Sequence, residues 1–153
     1  MQDTKFSVSM CVYGKDNSSW FKAAVDSVIN QTCPPNEIVL VVDGPVPQEL
    51  NSIIKEYEKL EFFKVIRFEE NQGHGNARRA GLESCSNELV AIMDADDISS
   101  PERFERQLAE FEKDTKLDIV GGNITEFIDT PENIIGRRSV YINDDEIKTD
   151  MKN

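Results

Sequence analysis

The spacing of apolar residues along this chain switches repeatedly between two periods. Phe6–Val12 (FSVSMCV) is rich in β-branched and aromatic side chains and carries no charge, which predicts a first strand. Phe21, Ala24, Val25, Val28 and Ile29 then fall at i, i+3, i+4, i+7 and i+8, one stripe of an amphipathic helix, with Ser18 or Ser19 available as its N-cap. Pro34-Pro35 ends that segment. Glu37–Val42 (EIVLVV) follows as a nearly unbroken apolar run, the pattern of a strand covered on both faces in a parallel sheet.

The unit recurs. Leu50, Ile53, Ile54, Tyr57 and Leu60 form a second helical stripe, Phe62–Phe68 a third strand, and Ala77, Ala80 and Gly81 a helix of small residues behind Gly73-His74-Gly75. Glu88–Met93 (ELVAIM) predicts a fourth strand, and Ser100-Pro101 a cap with proline at the first helical position, ahead of the stripe Phe104, Leu108, Phe111. Asp118–Gly121 (DIVG) is expected to begin a fifth strand and Asn123–Ile142 to hold one or two more, while the last dozen residues, rich in Asp, Glu and Lys, have no apolar partner of their own. Strands alternating with helices imply βαβ units and right-handed crossovers, hence an α/β fold with a mostly parallel sheet and helices on both faces. The chain has no internal repeat, low-complexity tract or linker, so residues 1–153 are expected to form a single domain.

Composition narrows the classes of function. A chain of 153 residues is long enough for one core without a disulfide or metal staple. With 17 basic and 29 acidic residues the net charge is −12, which argues against a broad nucleic-acid footprint. No run approaches the ~18 apolar residues needed to cross a bilayer, and the N-terminus has no cationic-then-apolar leader, so a soluble, cytoplasmic domain is expected. Cys11, Cys33 and Cys85 are odd in number and far apart, and form neither a disulfide framework nor a zinc knuckle. His74 is the only histidine, which removes His-pair metal sites and leaves a Ser-His-Asp triad without support. Chemistry here must rest on carboxylates, backbone amides and arginines.

In such a sheet ligands gather beyond the carboxyl ends of the strands. The segments expected there are Val12-Tyr13-Gly14, Asp43-Gly44-Pro45, the loop from Asn71 to Arg79, and Asp94-Ala95-Asp96-Asp97. The last is the sharpest signal. In an extended segment residues i and i+2 face the same side, so Asp94 and Asp96 converge on one point. Paired carboxylates repel unless a cation neutralises them, and hard oxygen ligands select Mg²⁺ or Mn²⁺ completed by substrate phosphates. The competing reading is a solvated acidic loop. Gly73-x-Gly75 is similar to a dinucleotide fingerprint, but it follows the third strand and Arg78 fills the third small position, which disfavours that site; no Gly-Lys-Ser/Thr forms a P-loop. Arg78 is either a phosphate contact or a solvent-facing arginine beside a tight turn. Asp43 is either an acceptor for a ligand N–H or a turn former before Gly44-Pro45, and Tyr13 either stacks on a base or roofs the core.

Taken in order, S-V-S-M-C-V-Y-G, Q-T-C-P-P-N-E-I-V-L-V-V-D-G, N-Q-G-H-G-N-A-R-R-A-G-L, L-V-A-I-M-D-A-D-D-I-S-S-P-E-R-F and D-I-V-G-G resemble glycosyltransferase family 2, the enzymes of GT-A, Rossmann-like fold that use nucleotide-sugars. The resemblance runs from Phe6 to about Gly122. It implies that Tyr13 helps hold the nucleobase, that Asp43 accepts from the uracil N–H, and that Val12, Asn76, Arg78 and Ala95 join them in lining the nucleotide-sugar pocket. It also makes Asp94-Ala95-Asp96 the D-x-D motif, with Asp94 and Asp96 holding a divalent cation, Mn or Mg, that bridges the diphosphate, and Asp96 the more direct ligand. Asp97 supports that loop, and Pro101 and Arg103 match the P-x-R start of the following helix. The implied activity is inverting, hexosyltransferase-type transfer from a UDP-sugar to a glycan or lipid-linked acceptor hydroxyl, in the cytoplasm or at the inner face of the membrane in a full-length enzyme.

The chain departs from the family pattern at Cys11, Gly14, Val42 and Arg79, where Pro, Asn, Asp and Asn are usual. Nothing after Gly122 matches the family's general base; Asp144, Asp145 and Glu146 read as the solvated start of a helix. The chain is therefore expected to be the nucleotide-binding half of an enzyme; a further reading is that the surface such a half exposes pairs it with a second copy. The alternative is a non-catalytic Mg²⁺- or nucleotide-binding regulatory module of receiver type. It lacks the acidic pair such a module needs after strand one, which ends in Val12-Tyr13-Gly14.

Overall fold

The structure, a computed structural model, describes residues 4–141 and 143–150. In chain order the elements are β1 (Phe6–Tyr13), α1 (Ser18–Ile29), β2 (Glu37–Asp43), α2 (Gln48–Tyr57), β3 (Phe63–Arg67), α3 (His74–Ser84), β4 (Leu89–Met93), α4 (Arg103–Lys113), β5 (Ile124–Phe127), β6 (Ile134–Arg138) and α5 (Asp144–Asp150). The chain clusters into two compact units, divided between Leu108 and Ala109.

The first unit is the α/β fold expected from the alternating periods. Its four strands are all parallel in the order β3-β2-β1-β4. Alternation sorts the side chains of the two central strands. Phe6, Val8, Met10 and Val12 of β1, with Ile38, Leu40 and Val42 of β2, join Phe21, Ala24, Val25 and Val28 of α1 and Leu50 and Ile54 of α2 in one core, none more than 3% exposed. Phe104 at the start of α4 closes this layer edge-on to Phe6, ring centroids 5.1 Å apart. The other face is built from small residues. Ser9 of β1 and Val41 of β2 meet Gly81 of α3, and a Cβ on Gly81 would run into the Ser9 hydroxyl, so α3 lies close against the sheet.

The strand order also locates a switch point. The chain steps from β1 to β2 to β3 in one direction, then crosses back to lay β4 on the far side of β1. Right-handed crossovers then put α1 and α2 on one face and α3 on the other, and the carboxyl ends of β1 and β4 part to leave a crevice.

The second unit holds the antiparallel pair β5–β6, with Ile124 opposite Arg138 and Thr125 opposite Arg137, and the short α5. Its pairing is irregular between Glu126 and Phe127. Ile119 is 85% exposed and Ile135 60%.

Three local expectations are corrected. The cap of α1 is Asn17, not Ser18 or Ser19: its side-chain oxygen accepts from Ser19 N at 2.9 Å and Trp20 N at 3.0 Å. α4 begins at Arg103, because Ser100 O accepts from Arg103 N at 3.0 Å and leaves Pro101 in the preceding turn. Asp118–Gly121 forms no strand; Ile119 points to solvent, so the segment has no buried side to align it with a sheet. The strands expected within 123–142 are β5 and β6, and Asp144–Asp150 is helical as expected. Ile142 and residues 151–153 of that expectation lie outside the described residues. No described helix is long and apolar enough to cross a membrane.

Candidate functional site

The cleft follows from unequal strand lengths. β1 pairs with β4 only as far as Met10 opposite Met93, but with β2 as far as Tyr13 opposite Asp43. Past Met10, β1 keeps one neighbour and loses the other, and a cleft of about 480 Å³ opens there. Cys11, Val12, Tyr13 and Asp43 form one wall, Asp94, Ala95 and Asp96 another, and Asn71, Gly73, His74 and Ala77 a third. The volume falls within the roughly 300–1,000 Å³ typical of small-molecule sites. Tyr13 stands at the rim, 42% exposed, while Val12 is buried in the core and contributes little surface.

Asp43 is buried and both its oxygens are engaged. Oδ1 accepts from Gln72 N at 2.7 Å and Oδ2 from Gly73 N at 3.0 Å, while its carbonyl accepts from the Asn71 amide at 3.2 Å. The carboxylate therefore clasps the 71–73 loop to the end of β2. Gly44 makes the clasp possible: at φ +84° it leaves no room for a Cβ, which would meet the backbone of Glu70 and Asn71. A carboxylate offers about four lone-pair positions, so Asp43 retains accepting capacity toward the cleft it lines.

Asp94 and Asp96 both line the cleft, but not by the extended geometry expected of them. Ala95-Asp96 is a turn; Ala95 is tucked into the core, and its burial turns the flanking carboxylates outward. Arg78, just over one turn into α3, donates from Nη2 to Asp94 Oδ1 at 2.6 Å, with side chains 32% and 50% exposed. Its Nε is buried without an acceptor. Arg103 reaches back under the same loop, donating to Ile92 O at 2.9 Å and to Met93 Sδ at 3.3 Å, with its guanidinium 5.2 Å above the Phe104 ring. Burial lowers its pKa, against the attraction of Asp97 and Asp94. Arg103 thus positions the acidic loop from behind. Neither Asn76 nor Arg78, both expected in the pocket, is among the residues lining the cleft: Arg78 reaches it only through Asp94, and the Asn76 amide donates to Gln72 O at 2.8 Å, finishing the first turn of α3.

One cleft residue escaped the reading of the sequence. Asp16 accepts from Tyr13 N at 2.9 Å and returns its own N–H to Tyr13 O at 3.2 Å, closing the turn between β1 and α1 and presenting Tyr13. Burial pushes its carboxyl up, opposed by the Tyr13 hydrogen bond, with Asp96 adding to the push and His74 opposing it. The signal was present in Tyr13-x-x-Asp16, a spacing that lets an aspartate close a turn on the strand end. Burial likewise pushes up the Cys11 thiol, which faces Arg78, Asp43 and Asp94, and all three cysteines are free.

Among the described residues no group of three or more His, Cys, Asp or Glu side chains is placed to hold a metal ion. Asp94 and Asp96 supply two carboxylates at the cleft, fewer than such a group, and a Mg²⁺-type site built on two carboxylates takes its remaining ligands from water and phosphate oxygens.

Comparison with known proteins shows the family of the chain. The family model for glycosyl transferase family 2 matches residues 7–152. The chain is 35% identical to the amylovoran biosynthesis glycosyltransferase AmsE of Erwinia amylovora, over 97% of this chain and 56% of that protein. It is 36% identical to the UDP-Gal:alpha-D-GlcNAc-diphosphoundecaprenol beta-1,3-galactosyltransferase of Escherichia coli, over 80% of this chain and 45% of that protein. Among solved structures it resembles S. aureus TarS 1-349 in complex with UDP-GlcNAc, with a TM-score of 0.62 and 25% identity over 72% of this chain and 32% of that one. The chain spans about half the length of these curated relatives.

Proposed function

The chain belongs to glycosyl transferase family 2, and we propose that residues 1–153 form the donor-binding part of a metal-dependent, inverting glycosyltransferase that takes a UDP-sugar. One observation carries the reading: the switch-point cleft unites an aromatic rim, Tyr13, a buried acceptor, Asp43, and an acidic pair, Asp94 and Asp96. Tyr13 offers a face for a base, and Asp43, held rigid by the amides of Gln72 and Gly73, accepts from a ring N–H. Asp94 and Asp96 are the residues that would hold a divalent cation, which would supply charge neutralisation to a departing diphosphate. Arg78 stands beside them as a second phosphate contact. Val12 and Ala95 shape the walls, and Asn76 orders the loop that carries the third wall.

The uridine donor is supported by the UDP-GlcNAc bound to the TarS neighbour and the UDP-Gal in the name of the E. coli relative. That relative's name also supports a lipid-linked saccharide acceptor; with such an acceptor the reading puts the full enzyme at the inner face of the membrane. The test is thermal melting with UDP and Mn²⁺. Ligand at 100 times its dissociation constant adds about 2.7 kcal/mol of stability. Absence of a shift, or an equal shift in Asp96→Ala, would count against the reading. The anomeric configuration of a product, read by NMR coupling constants, tests inversion, and retention would overturn that part.

A further inference from the structure

Arg78 and Asp94 carry an inference that deepens the proposed function and rests on it. The Asp94 carboxylate is already engaged, by a charge-assisted hydrogen bond of 2.6 Å from Arg78. The guanidinium that makes this bond is incompletely served, because its Nε is buried with no acceptor. An unmade buried hydrogen bond carries a desolvation penalty, so the conformation that reaches Asp94 is not the one that satisfies every donor. The backbone beneath it has little freedom: Ala77 and Gly81 on either side are buried, and Gly81 lies so near the sheet that an added Cβ would meet Ser9 and Val41. Any rearrangement is therefore confined to the arginine side chain. Arg103, a second cation near the loop, is committed to Ile92 O and Met93 Sδ from behind. A guanidinium and a divalent cation compete for the same carboxylate oxygens and repel each other.

We infer that Arg78 is an internal counter-ion on Asp94, which a diphosphate must draw away before a divalent cation takes full hold of that carboxylate. Nucleotide and metal then bind as coupled ligands, each tightening the other by the same factor. Arg78 in this role is a positioning residue for the metal and a gate on the order in which the site fills.

The experiment is Mn²⁺ binding to the full chain, followed by the electron paramagnetic resonance signal of free Mn²⁺, with and without UDP. Arg78→Gln is expected to bind Mn²⁺ alone about three- to tenfold more tightly than the parent, the scale of a partly exposed charged hydrogen bond. The factor by which UDP tightens Mn²⁺ shrinks correspondingly. Arg78→Lys keeps the charge but loses the planar fork, and falls between the two. Should Arg78→Gln fail to fold, Arg78→Lys decides: tighter Mn²⁺ binding without UDP supports the role, and unchanged binding overturns it. Equal or weaker binding by a folded Arg78→Gln overturns the counter-ion alone. Lack of Mn²⁺ binding at every UDP concentration in all three proteins overturns the reading of the cleft as well.

Discussion

Residues 6–104 and residues 109–150 spend their apolar side chains in opposite ways. In the first stretch β1 and β2 are covered on both faces, and every hydrophobic residue found buried among the described residues lies between Phe6 and Phe104. In the second, Ile119, Ile124, Ile128, Ile134 and Ile135 are all exposed. The difference is one of layers. A parallel sheet flanked by crossover helices buries both sides of each central strand. A two-stranded antiparallel pair such as β5–β6 has a single ladder and is marginal by itself. The cleft belongs wholly to the well-packed stretch, where side chains can be held in fixed positions.

Amide hydrogen exchange gives the largest expected contrast: protons of β1 and β2 should exchange on the order of a thousandfold more slowly than those of β5 and β6. Similar protection in both would erase the distinction. Next comes truncation of the core. Leu40→Ala removes a fully buried side chain and should lower stability by about 2–5 kcal/mol in urea unfolding, whereas Ile135→Ala should stay within about 0.5 kcal/mol. A smaller contrast lies in glycine. Gly81→Ala forces a Cβ against Ser9 and should lose about 1–3 kcal/mol, while Gly121→Ala, with nothing within 4 Å of its new Cβ, should be neutral or gain up to about 1 kcal/mol.

The smallest effect is a pH dependence of the first stretch. Glu37 accepts from Ser7 Oγ at 2.6 Å, Ser86 N at 2.7 Å and Ser86 Oγ at 2.9 Å. Burial alone would raise its pKa, but these bonds and Lys64 outweigh it and hold the carboxyl below its ordinary value. Because the folded pKa is the lower one, the stability contributed is present above the ordinary carboxylate range and is lost as pH falls through the depressed value. Glu37→Gln should therefore melt a few degrees lower at pH 7 and lose less on going from pH 5 to pH 3; an unchanged acid limb would remove Glu37 from the account.

Much of the fold was legible because burial on both faces leaves a plain mark. The run Glu37–Val42 reads as β2, and the spacing of Phe21, Ala24, Val25 and Val28 reads as the inner side of α1. What was not legible depended on partners distant in sequence. Nothing near Arg78 announces that it reaches Asp94, or near Asp43 that it holds the amides of Gln72 and Gly73. Asp118–Gly121 shows the opposite limit, since β-branched residues make a strand only where a neighbouring edge receives them. Asp94 and Asp96 both line the cleft, but a buried alanine in a turn separates them where their spacing suggested strand alternation, a departure that no local pattern announces.

The contact of Gly81 with Ser9 and Val41 has a consequence beyond packing. It works as a spacer, setting how high α3 rides above the sheet and so how far the Arg78 head lies from the strand tips. One added methyl would lift the helix by a fraction of an ångström and carry that head with it. A residue that never meets a ligand would thereby calibrate the grip on one, and a Gly81→Ala chain that still folds should show a weakened response to UDP in the same melting scan.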